Sequence, residues 1–426
     1  MRILIPTDSF PPVCGGSGWS TYELARGLRT AGHDVLIAQP KPGTPHGIRR
    51  VEYDGFRVME FGATAPDVPF VRNYYKNERL YDALAPWLAD LIDRERIDVV
   101  HAQHVMTCLP AVKAAHSHRG PRIPAVCTIR DYWPVCYWSD LLLTPDGADL
   151  CPACSSGMMT RCIRPRAGSL WPLALPMIPY MRANLARKRT GLSEADGVIA
   201  VSSTIAADLR EHAPELARTR MEVIPNPVDI ADLRRRASLP HSSGEAPPPG
   251  PYALYLGKLA PNKGTSHLVR IVEEASLDWP LVVAGDGPDR DLLEAQAARS
   301  TRDIRFLGWV DQNQTAALLG HASMLIFPSR GPESLSRVLI EASALGVPIA
   351  AMDTGGTGDI ISQNETGLLS RSPAELARDI GRLKADDQLR RRLGDAARRR
   401  AEERFDSRAV VARVDALYRD LLERRS

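Results

Sequence analysis

The chain has 426 residues, 44% hydrophobic and 25% charged, the balance of a soluble globular protein and not of a disordered or fibrous one. Its 54 basic and 51 acidic residues leave a net charge of +3, which excludes a chain-wide basic footprint for nucleic acid. No apolar run approaches the roughly 20 residues needed to span a bilayer, and the length suits two domains of roughly 200 residues each.

Arg2 to Pro6 holds only a short apolar run, too brief for a secretory leader. It reads as a first strand, and a cytoplasmic protein with reduced cysteines is expected. Pro11-Pro-Val-Cys-Gly-Gly-Ser-Gly18 follows as a glycine-rich turn into the helical Tyr22 to Leu28, so Gly15, Gly16 and Ser17 are candidate contacts for phosphate or acceptor. The turn lacks the Gly-x-Gly-x-x-Gly spacing, which argues against a dinucleotide-dependent oxidoreductase. Further short apolar runs at Val35 to Ala38, Val99 to His101, Ala125 to Ile129 and Gly197 to Val201 alternate with helical patterns, the rhythm of a mostly parallel α/β sheet.

Cys136, Cys151, Cys154 and Cys162 lie in an irregular stretch rich in Pro, Gly and Ser. Four thiolates there suit a structural zinc site, with unliganded thiols or a redox disulfide as the other readings. Leu170 to Met181 is apolar and is followed by Arg182, Arg187, Lys188 and Arg189, a pattern suited either to core packing or to peripheral contact with anionic lipid. Ser238 to Pro251 breaks all periodicity and reads as a linker between residues 1–237 and 252–405. Beyond it Tyr252 to Gly257, Leu281 to Ala284, Ile304 to Phe306, Met324 to Phe327 and Ile349 to Ala351 are candidate strands of a second doubly wound domain. Two helical stripes close the chain, Leu376, Ile380 and Leu383, then Val410, Val414, Leu417 and Leu421.

Glu333-Ser-Leu-Ser-Arg-Val-Leu-Ile-Glu341 carries the chemistry, entered from a strand and leaving in a helix that Gly346 and Pro348 stop. Carboxylates eight positions apart on a helix lie about 12 Å apart along its axis, too far to share a proton but suited to the two ends of an extended ligand. Between them the amides of Ser334, Leu335 and Ser336 are expected at a helix N-terminus, where unpaired N–H groups favour phosphate. Thr354-Gly-Gly-Thr-Gly-Asp359 then supplies a glycine-rich loop for close backbone approach.

The run from Pro328 to Leu369, with Glu333, Glu341, Gly355, Gly356 and Gly367 in order, resembles the donor-binding half of the family-4 retaining glycosyltransferases. The resemblance implies the GT-B architecture of two Rossmann-like domains facing a cleft, with a last helix, 406–426, packing back on the N-terminal domain. Gly257-Lys-Leu-Ala-Pro-Asn-Lys263 resembles the family's Gly-Arg-Leu…Lys-Gly diphosphate grip, with Lys258 where arginine is usual, which keeps the charge and loses the planar fork. Gly285, Asp286 and Gly287 match its strand-end turn at the nucleotide. On the acceptor side Asp98 to His104 resembles Asp-Val-Val-His-x-His with Gln103 for the second histidine, and His101 reads as structural. Thr128 to Trp133 resembles Thr-x-His-Asp-x-Trp, with Arg130 in place of histidine beside Asp131. A guanidinium is no base at neutral pH, so Arg130 orients substrate or recognises an anionic group. With His101, Gln103 and His104 these form the expected acceptor set.

The implied activity is transfer of a sugar, with retention, from a nucleoside-diphosphate sugar to a hydroxyl of a glycan, a lipid-linked or a small-molecule acceptor. Glu333, Lys258, Lys263 and Arg130 are the expected catalytic residues, without a catalytic metal or other cofactor. A nucleotide-sugar epimerase or hydrolase of the same fold, and a catalytically silent sugar-nucleotide scaffold, are the alternatives.

Overall fold

The computed structural model describes residues 1–65, 74–145, 149–239 and 248–424, so most of the expected linker lies outside the described residues. Contacts divide the chain into two units: Met1–Ser139 with Pro179–Pro227 and Ser407–Ser426, and Asp140–Ile178 with Val228–Asp406.

Unit 1 is built on an eight-stranded sheet of order β3-β4-β2-β1-β5-β6-β7-β8. Its strands are β1 Arg2–Pro6, β2 Asp34–Pro42, β3 Gly47–Tyr53, β4 Phe56–Ala63, β5 Val99–Ala102, β6 Ala125–Ile129, β7 Gly197–Ala200 and β8 Met221–Val223. All neighbours run parallel except β3 against β4. The inner strands are apolar on both faces, as Ile3, Leu4 and Ile5 show, because helices cover both sides of a parallel sheet. β1 is followed by β2 on one side and, after β3 and β4, by β5 on the other. The crevice between the C-terminal ends of β1 and β5 is therefore a topological switch point, the usual seat of a ligand in such sheets.

The helix Ser407–Glu423 completes this unit, burying Val410, Val411, Val414, Leu417 and Leu421 in the same core as β1 and β2. Its Tyr418 hydroxyl lies 2.6 Å from His101 Nδ1, in surroundings that leave neither side chain exposed. Tyr418→Phe is expected to lower the stability of this unit by about 1–3 kcal/mol, because it strands a buried ring nitrogen. Thermal unfolding of the variant measures this.

Unit 2 carries a six-stranded, wholly parallel sheet of order β11-β10-β9-β12-β13-β14. The strands are β9 Ala253–Leu256, β10 Leu281–Ala284, β11 Ile304–Gly308, β12 Met324–Phe327, β13 Ile349–Met352 and β14 Leu368–Ser370. Here the switch point lies between β9 and β12. The stripe Leu376, Ile380 and Leu383 is fully buried beneath this sheet.

Two expected boundaries are corrected. Residues 228–237 belong to unit 2, not to the N-terminal domain, because Val228 N donates to Phe405 O at 2.9 Å and the helix Ile230–Ala237 buries Leu233. The cysteine-bearing segment 140–178 also falls with unit 2, while Cys136 stays with unit 1. Among the described residues no helix is long and apolar enough to cross a membrane.

Candidate functional site

Both predicted clusters lie where the topology places ligands, at the strand ends beside a switch point. In unit 2, β12 runs into Pro328 and Ser329 and then Glu333, while β9 runs into the loop that holds Lys258 and Lys263. Gly264 fits these two loops together with φ +69°, and a Cβ there would lie 1.9 Å from Pro328 O. Asn262 O binds the second loop by accepting from Arg330 N at 3.0 Å and Gly331 N at 2.7 Å.

Glu333 is buried, and its Oε1 accepts from Lys263 Nζ at 2.6 Å and from the Ser329 hydroxyl. The glycine loop closes over its backbone. Gly356 N donates to Glu333 O at 2.6 Å, and Gly355 sits at φ +53° where a Cβ would stand 2.1 Å from that oxygen. Only glycine meets both demands. The expected sugar-holding carboxylate and one diphosphate lysine thus begin in contact with each other.

Lys258 is exposed and takes part in no ion pair among the described residues. Gly257, Gly285 and Gly287 form a main-chain seam beside it, in which Gly257 N donates to Ala284 O and Leu259 N to Asp286 O, each at 3.0 Å. The Asp286 side chain accepts from its neighbour Gly287 N at 2.7 Å and lies 3.6 Å from Arg290, so it shapes the turn.

The helix of the motif begins at Arg337, not at Ser334, with Ser336 as its N-cap and Ile340 N as the first intrahelical donor, to Ser336 O. The terminus is therefore three residues later than expected, and the first-turn amides it opens among the described residues are those of Val338 and Leu339. Ser334, Leu335 and Ser336 form the approach to it. Glu341 lies inside the helix and is 3% exposed, its Oε1 accepting from Arg337 Nε at 2.7 Å. Its Oε2 has no protein partner among the described residues. Sequence reading missed Arg337, although its four-residue spacing from Glu341 is the signature of a helical ion pair.

In unit 1 the exposed Gly15 caps the helix Gly16–Thr30 without a side-chain cap, and the first turn holds no acidic residue. Gly15, Gly16 and Ser17 so present open amides at a positive helix end. Across the switch point Gln103 and His104 follow β5, and Arg130 and Asp131 follow β6. Arg130 is buried, with Nε donating to Asn226 Oδ1 at 2.9 Å and Nη1 to Gln103 Oε1 at 2.5 Å. Burial pulls its pKa down to about 9. Asp131 accepts from Trp133 N at 2.9 Å, and burial pushes its carboxyl up to about 6. Asn226 is a candidate site residue that no motif in the sequence marks.

His101 is corrected from the acceptor set: it is fully buried, and its ring nitrogens lie 2.6 Å from Tyr418 Oη and 2.7 Å from Thr128 Oγ1. It joins the last helix to the sheet.

The seven cysteines form no disulfide, and among the described residues no group of three or more His, Cys, Asp or Glu is placed to hold a metal ion. The cysteine-bearing segment is tied by Arg166, which reaches Asp140 at 2.8 Å and the carbonyls of Leu142, Leu143 and Cys162. The basic run after it is largely structural. Arg187 and Arg189 pair with Glu78 and Glu215, and Lys188 is 3% exposed.

Comparison with known proteins shows the family and the fold. Residues 241–400 match the model for "Glycosyl transferases group 1" and residues 14–232 the model for "Glycosyltransferase Family 4". A glycogen synthase of Mycobacterium tuberculosis is 27% identical over 443 aligned positions, covering 98% of this chain and 94% of the relative. Among solved structures, sucrose-phosphate synthase from Thermosynechococcus elongatus superposes with a TM-score of 0.67 at 21% identity, covering 99% of this chain and all of the other. Anabaena HepE in complex with UDP gives 0.64 at 19% identity, with 99% of this chain and all of the other covered. These likenesses identify the fold as GT-B. With its first half matched over residues 14–232 and its second over 241–400, the chain belongs to glycosyltransferase family 4.

Proposed function

We propose that this glycosyltransferase moves a sugar from a nucleoside-diphosphate sugar, bound on unit 2, to an acceptor hydroxyl with retention of anomeric configuration and without a catalytic metal. The observation that carries the reading is Glu333, buried at the switch point, bonded to Lys263 and Ser329 and covered by the Gly355-Gly356 loop. HepE, of the same fold, is solved with UDP-glucose, which supports a donor of this class.

In this reading Glu333 accepts hydroxyls of the transferred sugar, and Glu341, aimed by Arg337, receives the ribose through Oε2. The Gly285-Asp286-Gly287 turn lines the nucleotide. Lys263 passes from Glu333 to the diphosphate, where Lys258 and the open amides of Val338 and Leu339 join it. These positive groups act on charge that grows as the sugar–phosphate bond breaks, so they favour the transition state over the bound donor. The departing phosphate oxygen accepts the acceptor's proton, and the new bond forms on the face the leaving group vacates. Unit 1 supplies the acceptor side through Gln103, His104, Arg130 and Asp131.

Stabilisation by UDP- and ADP-sugars in thermal scans, followed by proton NMR of the product from each stabilising donor, tests this reading. An axial donor linkage preserved in the product is expected. An inverted linkage, or release of free sugar alone in the presence of a hydroxyl acceptor panel, overturns it. Lys258→Ala is expected to raise the donor KM about tenfold while changing stability by no more than about 0.5 kcal/mol, since the side chain is exposed and unpaired. Lys258→Arg should recover the affinity.

A further inference from the structure

Arg130 carries a buried positive charge that no carboxylate among the described residues pairs with. Its three acceptors, Asn226 Oδ1, Gln103 Oε1 and Gln103 O, are all neutral amide oxygens. No carboxylate pairs with it, and its Nη2 donors have no protein partner among the described residues. Taking a lone guanidinium out of water costs several kcal/mol, and an oxyanion ligand offsets that penalty. Charge-assisted, two-pronged contact is what a guanidinium edge offers to carboxylate or phosphate.

His104 supplies a second, independent sign of a ligand. Its Nδ1 lies 3.0 Å from Thr7 Oγ1, whose own proton goes to Ser9 O at 2.9 Å. With that proton on Ser9 O, Thr7 Oγ1 accepts from Nδ1–H and Nε2 is the acceptor of the neutral ring, a tautomer assigned from the hydrogen-bond pattern. That nitrogen is buried without a partner, in a residue only 8% exposed. Burial and the Arg130 charge hold the ring neutral, with a pKa pulled down to about 3. A group that accepts a hydroxyl and a group that grips an anion thus stand at the ends of neighbouring strands, β5 and β6.

We propose that Gln103, His104, Arg130 and Asn226 form a subsite that selects acceptors bearing an oxyanion, carboxylate or phosphate, close to a hydroxyl. The assignment to the acceptor rests on the transferase reading above, in which the donor diphosphate is held by the lysines of unit 2. Gln103 and Asn226 fix the plane of the guanidinium, Nη2 takes the oxyanion, and His104 Nε2 accepts the neighbouring hydroxyl.

Titration of the full-length protein with glucose, glucuronate and glucose 6-phosphate, three hexoses that differ only at C6, tests the subsite. At least one anionic probe is expected to bind about tenfold more tightly than glucose, the step that one charge-assisted contact supplies. The better of the two tells carboxylate from phosphate. Arg130→Gln should abolish the preference and Arg130→Lys should keep part of it. Gln103→Glu, which places a carboxylate on the guanidinium without changing shape, should suppress the preference even if Arg130→Gln does not fold. Equal binding of all three hexoses by the wild type overturns the proposal, as does an anion preference untouched by Gln103→Glu or Arg130→Gln. Because binding is read without turnover, a protein that selects the anion yet transfers no sugar refutes the transferase reading alone. One that glycosylates neutral and anionic acceptors with equal efficiency refutes the subsite alone.

Discussion

Glu333→Gln is expected to lower the transfer rate at saturating donor by about 10²–10³-fold, the effect of removing one preorganised electrostatic contact from a transition state. The neutral amide keeps the shape of the side chain and one acceptor oxygen. It loses the charge that strengthens hydrogen bonds to sugar hydroxyls and the partner that aims Lys263, 2.6 Å away. Stability should change by no more than about 1 kcal/mol, because the Lys263 side chain is 32% exposed and water screens the pair. Initial rates with a fixed donor, read beside a thermal scan, separate the two effects. A variant that keeps more than about a tenth of the wild-type rate would remove Glu333 from the mechanism.

Arg337→Met should have the opposite signature, a large loss of stability. The Arg337 and Glu341 side chains are 8% and 3% exposed and joined at 2.7 Å, so deleting the cation leaves a carboxylate stranded inside unit 2. Breaking a buried pair in this way costs about 3–5 kcal/mol. For a unit of this size that corresponds to a fall of roughly 6–20 °C in the midpoint of thermal unfolding. The double variant Arg337→Met/Glu341→Leu should regain most of the loss, since no uncompensated charge remains, while donor binding stays weak. If the single variant unfolds within about 2 °C of the wild type, the pair is not the anchor of this helix.

The parts of the fold written in local pattern were legible in the sequence. The doubly buried strands announce themselves as short apolar runs, and Val410, Val414, Leu417 and Leu421 mark the last helix by spacing alone. β3 and β4 went unread, although Asp54-Gly55 between them is a hairpin turn signal and pairs Tyr53 with Phe56. β3 is mostly exposed, so it lacks the apolar alternation that draws attention to a strand. The glutamates, lysines and glycine loops of the candidate site were readable because each lies within a short segment. Asn226 on Arg130 and Tyr418 on His101 were not, since those partners are 96 and 317 residues apart in sequence. The extent of unit 2 was hidden for the same reason: Val228 and Phe405 meet only in three dimensions.

The placement of Ser407–Glu423 has a consequence for biosynthesis. On the ribosome, the strands of unit 1 emerge first but wait, with the surface meant for Val410 to Leu421 uncovered, until the whole of unit 2 has been translated. At about 5–20 residues per second that interval lasts roughly ten seconds or more, a window in which the nascent chain is open to chaperone capture and to aggregation. A premature stop after Asp406 would therefore damage the half of the protein that was made first.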